Sequence, residues 1–109
     1  MRSKNNRLKA TPAFWADFDN VIDYITETLE NPIAAEFLLD SLVKKARALE
    51  ASPFPAATKP YFAPPEVDLP YYALPVGNYL AFYVVLDDVI EFRRFLYARS
   101  DLSHRLGPK

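Results

Sequence analysis

The sequence predicts an α+β domain in which an antiparallel helix hairpin precedes a three-stranded antiparallel β-meander that packs on the helices. Three observations indicate this class. Two segments carry apolar residues at helical spacing, and each segment begins with a residue pair whose second member is proline. Three later runs are rich in β-branched and aromatic residues, and short turn signals separate them. A proline-rich stretch lies between the two regions.

Both helices have recognisable starts. The Thr-Pro pair at residues 11–12 places a good N-cap before proline, which suits the first helical position. Apolar residues then follow at spacings of three and four, namely Phe14, Phe18, Val21, Ile22, Ile25 and Leu29. This pattern predicts an amphipathic helix over about residues 12–29. The Asn-Pro pair at 31–32 repeats the signal and predicts a second helix over about 32–51, so the short break favours a hairpin.

The meander is predicted from three runs, over about residues 71–76, 79–86 and 89–97. Gly77-Asn78 separates the first two and is a hairpin signal, because both residues tolerate positive φ. Asp87-Asp88 marks the second reversal. The central run, YLAFYVVL, is apolar on both faces. We therefore expect the helices on one face and another element, or a partner, on the other.

The last strand carries a cluster of arginine and tyrosine. Strict alternation divides the side chains between the two faces of the strand. One face then carries Phe92, Arg94, Leu96 and Ala98, and the opposite face carries Arg93, Phe95, Tyr97 and Arg99. Only one of the two adjacent arginines then faces the same surface as the tyrosine, unless a bulge intervenes. From the residues alone the cluster also has a structural interpretation: a packed tyrosine with a solvated hydroxyl, and surface ion pairs with Glu91, Asp87 or Asp88.

Residues 52–70 are dominated by proline, which predicts a stiff, extended loop. The loop either simply crosses from the helices to the sheet or, through Lys59, contacts a ligand. Tyr61 and Phe62 are expected to anchor it. Residues 100–109 form a short polar tail.

Composition limits the possible functions. At 109 residues the chain is expected to be one domain over residues 1–109. The net charge of -1 counts against nucleic-acid binding, although a local basic patch remains open. There is no cysteine, one histidine and no glycine-rich phosphate loop, so we expect neither a metal site nor a cofactor. The N-terminus lacks the apolar core of a signal peptide and no run is long enough to span a membrane, so we expect a cytoplasmic protein without membrane contact.

Three motifs in order resemble the RelE/ParE family of toxins from bacterial type II toxin–antitoxin systems. Asn31-Pro32, followed by Ala34-Ala35, is similar to the link into the family's second helix. LPVGNYLAFYVV is similar to the central hairpin, and FLYARSDL to the terminal strand. The resemblance covers nearly the whole chain. It also implies a short N-terminal strand over about residues 6–10.

The resemblance implies two activities. RelE-like toxins enter the ribosomal A site and cleave mRNA, whereas ParE-like toxins inhibit DNA gyrase, and an antitoxin protein neutralises both. The first expectation is RelE-like mRNA cleavage, an endoribonuclease activity that needs charge stabilisation and proton transfer. At the last strand the position that matches the family's site is Tyr97, with Arg99 two residues further on. Arg94 aligns best with an arginine frequent in the family, whereas Arg93 shares the face of Tyr97, so either is the next candidate, and Lys59 and Arg105 are expected as peripheral phosphate contacts.

This sequence departs from the family pattern where positive charge is common. Tyr72, Leu80 and Ser100 stand where many relatives have arginine. These losses leave two alternatives open. The first is a ParE-like gyrase inhibitor, which needs protein contacts rather than a catalytic set. The second is a non-toxic domain that still binds the antitoxin.

Overall fold

The computed structural model describes residues 7–51 and 69–99. The elements in chain order are β1 (Arg7–Ala10), α1 (Pro12–Asp23), a π-helical segment (Tyr24–Thr28), α2 (Pro32–Ala51), β2 (Tyr72–Val76), β3 (Tyr79–Leu86) and β4 (Val89–Tyr97). This order confirms the predicted α+β class. Most of the predicted proline-rich loop, residues 52–68, and the tail at 100–109 lie outside the described residues.

The four strands form one sheet in the order β1-β4-β3-β2. β1 pairs with β4 in parallel, from Arg7 opposite Val89 to Ala10 opposite Phe92, and the other neighbours are antiparallel. β1 therefore covers only the first part of β4. Within residues 7–51 and 69–99, no strand pairs with the outer edge of β4 beyond Phe92, which matters for the site below.

The core lies between the helices and one face of the sheet. α1 contributes the buried rings of Phe14 and Phe18, and α2 contributes a buried stripe of Ala35, Leu38, Leu42, Ala46 and Leu49. Phe14 is only 1% exposed and packs 5.8 Å from the ring of Phe95 on β4. A smaller cluster around Phe82 and Leu96 lies on the opposite face of the sheet.

Local capping explains where the helices begin. The Thr11 hydroxyl accepts a hydrogen bond from the Phe14 backbone N–H at 3.1 Å, and Pro12 takes the first helical position. The Asn31 side chain caps α2 in the same way, accepting from the Ala34 N–H at 3.1 Å. The hairpin turn after β2 has Gly77 at φ +60°, and the turn after β3 has Asp87 at φ 55°. Both predicted reversals are present.

The end of the first helix differs from the prediction. A continuous α-helix over 12–29 was expected, but the chain changes to a π-helical segment after Asp23, and the Leu29 N–H bonds the Tyr24 carbonyl at 3.0 Å. The wider turn adds a residue to the helical repeat. Ile25 therefore stays in the core while Leu29, predicted in the apolar stripe, is 54% exposed.

The strict alternation predicted for β4 is wrong because the strand contains a bulge. Phe92 lies opposite Tyr83 and Arg94 lies opposite Phe82, so Arg93 is the extra residue. Phe92 and Phe95 consequently both pack against helix α1, with ring centroids 5.5 and 5.8 Å from Phe14. Arg93 no longer belongs with Phe95 and Tyr97.

None of the described helices combines the length and apolar character that a membrane span requires.

Candidate functional site at the end of β4

The exposed end of β4 carries Tyr97 and Arg99. Tyr97 lies on the same face of the sheet as Tyr79 and Phe95. The Tyr97 and Tyr79 rings are edge-on with centroids 5.7 Å apart, and the Tyr79 and Phe95 rings stack with centroids 5.3 Å apart. The Ala98 N–H donates to the Asn78 carbonyl at 3.0 Å, which fixes the chain against the hairpin turn. Tyr97 remains 46% exposed. A solvent-accessible phenol thus sits at the end of an ordered strand.

Three tyrosines gather at this end of the sheet. Tyr24 opens the π-helical segment and is 50% exposed, and both Tyr24 and Tyr97 act electrostatically on Tyr79. Burial, and then the two neighbouring phenols, raise the pKa of Tyr79 above its ordinary value of 10.0. The cluster therefore offers exposed aromatic faces to a partner.

Arg99 is the cation next to this cluster. It follows Tyr97 by two residues, in the turn after β4, and it is exposed. Among residues 7–51 and 69–99 no carboxylate forms an ion pair with it. The exposure of Arg99 leaves its side chain accessible to solvent.

Arg93 is engaged elsewhere. Its Nε donates to Glu91 at 2.8 Å, and its side chain is about one-third exposed, at 36%. Burial alone lowers the pKa of Arg93, but hydrogen bonds to Glu91 and Tyr71 outweigh it and raise the pKa above the ordinary value. The bulge places this arginine among Glu91 and Tyr71, away from Tyr97.

Arg94 forms the shorter of the two ion pairs found among the described residues. Its Nε and Nη2 donate to the two carboxylate oxygens of Asp17 on α1, at 2.6 and 3.0 Å. Hydrogen bonding to Asp17 raises the pKa of Arg94 above its ordinary value and outweighs burial, which lowers it. The side chains are only 28% and 13% exposed. The guanidinium is therefore committed to holding α1 against β4.

Two apolar grooves flank α1 on the helix side. One, of about 310 Å³, lies between β1, α1 and α2 and has Lys9, Arg47 and Glu50 at its polar margin. The other, of about 470 Å³, runs between α1 and α2. Trp15 lines both grooves and is 47% exposed. In the described part of the chain no group of three or more metal-ligating side chains occurs.

The description of the matching family model is the ParE toxin of the type II toxin–antitoxin system parDE, and it matches residues 8–102. The match spans most of the chain, from β1 to beyond β4. The chain belongs to the ParE toxin family. This confirms the RelE/ParE resemblance that the motifs indicated.

Structural comparison agrees with this assignment at the level of the fold. A chain of the chromosomal ParDE TA system from P. aeruginosa is similar with a TM-score of 0.63 and 22% sequence identity. The similarity covers 89% of this chain and 100% of the other. No curated protein matches the sequence.

The ParE-type fold brings together only part of the predicted site. Tyr97 and Arg99 lie together at the end of β4, whereas Arg93 and Arg94 are held in separate ion pairs. Lys59 and Arg105 lie outside the described residues. Their roles in binding or catalysis stay predictions.

Sequence reasoning missed two residues of this ParE-family chain. Neither Asp17 nor Trp15 was assigned a role from the sequence. A signal existed for Trp15, because the chain's only tryptophan stands directly beside the apolar stripe, at a position that faces away from the core. No local signal distinguished Asp17 from the other acidic residues of α1.

Proposed function

We propose that this ParE-family toxin arrests growth by binding and inhibiting DNA gyrase. The observation that carries the proposal is the ion pairing of Arg93 with Glu91 and of Arg94 with Asp17. Phosphate chemistry needs guanidinium groups that are free to approach an anion. Pairing and the net charge of -1 both reduce the positive charge available for RNA.

The surface at the end of β4 has the composition of a protein-binding site. Tyrosine and arginine are enriched among residues that dominate binding energy at protein interfaces. Tyr24 and Tyr97 are about half exposed, and Arg99 is exposed beside them. A partner protein that covers this end buries the surface of the tyrosine rings and gains a contact with one cation, Arg99.

RelE-like cleavage of mRNA is the second candidate, and one observation favours it. Tyr97 and Arg99 stand together at an accessible strand end, where a phenol can exchange a proton and a guanidinium can stabilise charge. The pair supplies one group for proton transfer and one cation for charge stabilisation.

The partner that neutralises this toxin is, in the same proposal, a cognate antitoxin that lays an amphipathic helix along the grooves flanking α1. The exposed apolar side chains there, Trp15, Leu39 and Val43, are 47, 42 and 45% exposed and supply anchor contacts. Strand addition at the β2 edge is disfavoured, since Pro75 lacks an N–H and its carbonyl already accepts from Lys45 Nζ at 2.8 Å. This pattern supports a helix as the main contact.

The test is regulated expression in a bacterial host, with growth, cell shape and protein synthesis followed from induction. We expect filamentation with mRNA initially intact, and purified protein should inhibit gyrase supercoiling. The double variant Tyr97→Phe/Arg99→Ala should weaken both effects. Arg7→Ala, which removes an exposed arginine from β1, is the matched control. Unaffected supercoiling together with rapid mRNA cleavage would instead support the RelE-like candidate.

A further inference from the structure

Helix α1 takes the place of a strand along the second half of β4. β1 stops pairing at Phe92, and the groups beyond it on that edge still need partners. The Thr11 N–H donates to the Phe92 carbonyl at 2.9 Å, and the Thr11 hydroxyl donates to the Arg93 carbonyl at 3.2 Å. Asp17 then accepts from the Phe95 N–H at 3.0 Å.

Asp17 holds two successive residues of β4 at once. Its Oδ2 accepts from both the Phe95 backbone and the Arg94 Nε, while Oδ1 accepts from Arg94 Nη2. A carboxylate with three donors and a side chain 13% exposed is well fixed. It therefore constrains the backbone immediately after the bulge, where the direction of β4 is set.

The constraint reaches the functional end through Phe95. The Phe95 ring is 1% exposed and stacks on Tyr79, which in turn contacts Tyr97. Tyr97 is also only two residues further along the strand. A change in the direction of the chain at Phe95 thus displaces both Tyr97 and the Arg99 that follows it.

We propose that Asp17 is a positioning residue for the Tyr97–Arg99 end of β4. It fixes Arg94 and Phe95, and thereby sets where the exposed tyrosine and arginine meet the target. Arg94 acts in this arrangement as the cation that keeps Asp17 in place. The link to activity rests on the proposed function, whereas the positioning itself can be measured on the isolated protein.

The experiment compares Asp17→Ala and Asp17→Asn with Asp23→Asn, which alters an exposed carboxylate on the same helix. Hydrogen exchange is measured at the Phe95 amide. The environment of Tyr97 is followed by ¹⁹F NMR of protein labelled with 3-fluorotyrosine, and Tyr97→Phe assigns the signal. Growth arrest is scored for each variant, and gyrase inhibition is measured with the purified proteins.

We expect Asp17→Ala to accelerate exchange at Phe95 by about tenfold or more, since a charge-assisted bond is lost. The Tyr97 resonance should shift, and inhibition should weaken in parallel. Asp17→Asn keeps an oxygen for the Phe95 N–H, so its effects should be smaller, and Asp23→Asn should behave as wild type. If Asp17→Ala does not fold, Asp17→Asn carries the test through the Tyr97 resonance.

Two results overturn the proposal. The first is a Tyr97 resonance at its wild-type position in both Asp17 variants. The second is loss of inhibition with an unchanged Tyr97 resonance and unchanged Phe95 exchange, since Asp17 then acts by touching the target. A wild-type protein that inhibits neither growth nor gyrase contradicts the proposed function instead, and the two NMR readouts still decide the positioning.

Discussion

A double-mutant cycle on Asp17 and Arg94 tests the energetic basis of the clamp between α1 and β4. Asp17→Ala removes all three hydrogen bonds of the carboxylate and leaves the Phe95 N–H and a partly buried guanidinium without it. We expect a loss of about 3 kcal/mol in the free energy of unfolding, because orphaned donors cost more than their bonds contributed. Arg94→Ala leaves Asp17 bonded to Phe95, so the expected loss is only about 1.5 kcal/mol.

The two losses should not add, because the residues share the ion pair. We expect a coupling energy of about 1 kcal/mol, so the double variant should lose about 3.5 kcal/mol. The pair Arg93–Glu91 is the internal comparison. Arg93 is 36% exposed, so the coupling there should be about 0.5 kcal/mol or less.

The assay is urea unfolding followed by circular dichroism, with the slope compared between variants to check that the unfolded state is unchanged. A coupling energy near zero would refute the reasoning. So would an Arg94→Ala variant that loses as much stability as Asp17→Ala, because the backbone bond to Phe95 would then contribute nothing.

Three further predictions concern the core, one turn and the alkaline range. Phe14→Ala should cost about 3–5 kcal/mol in thermal or chemical unfolding, because it leaves a cavity among the rings packed on a side chain only 1% exposed; a loss below about 1 kcal/mol would contradict the packing. Asp87→Gly should stabilise by about 0.5–1 kcal/mol, since φ is 55° there, and a lower melting temperature would count against it. Burial and Tyr72 raise the pKa of Tyr83 in the folded protein above 10.0. The stabilisation from the neutral Tyr83 phenol is therefore complete below pH 10.0 and is lost as the pH rises through the higher folded pKa. Tyr83→Phe should make the alkaline fall in the free energy of unfolding shallower, and an unchanged fall would mean that other groups cause it.

Local signals were enough to predict the regular elements. α2 has the predicted bounds, Pro32–Ala51, because an Asn-Pro start and a continuous apolar stripe act within the segment itself. The second and third meander strands also have their predicted bounds, since a glycine at positive φ and an aspartate pair fix the turns. These features depend on residues that are close together in the chain, so one sequence is enough to predict them.

The bulge could not be predicted in this way. The alternation of apolar and polar residues in β4 breaks at Arg93-Arg94, but the partners that stabilise the bulged conformation lie far away in sequence. Thr11 bonds Arg93 across 82 positions and Asp17 bonds Phe95 across 78. The π-helical segment was missed for a similar reason, because nothing in its sequence marks the change of helical period at Tyr24.

The ion pair between Asp17 and Arg94 also changes how mutations at this site should be interpreted. An arginine whose removal abolishes activity is easily taken for a catalytic group. If Arg94→Ala weakens activity here, we expect a structural cause, because Arg94 holds the carboxylate that bonds Phe95, two residues before Tyr97. Asp17→Asn separates the two explanations, since it leaves Arg94 in place and removes only its charged partner. Activity that falls in this variant together with a displaced Tyr97 argues for positioning, whereas full activity would return Arg94 to the set of residues that contact the target.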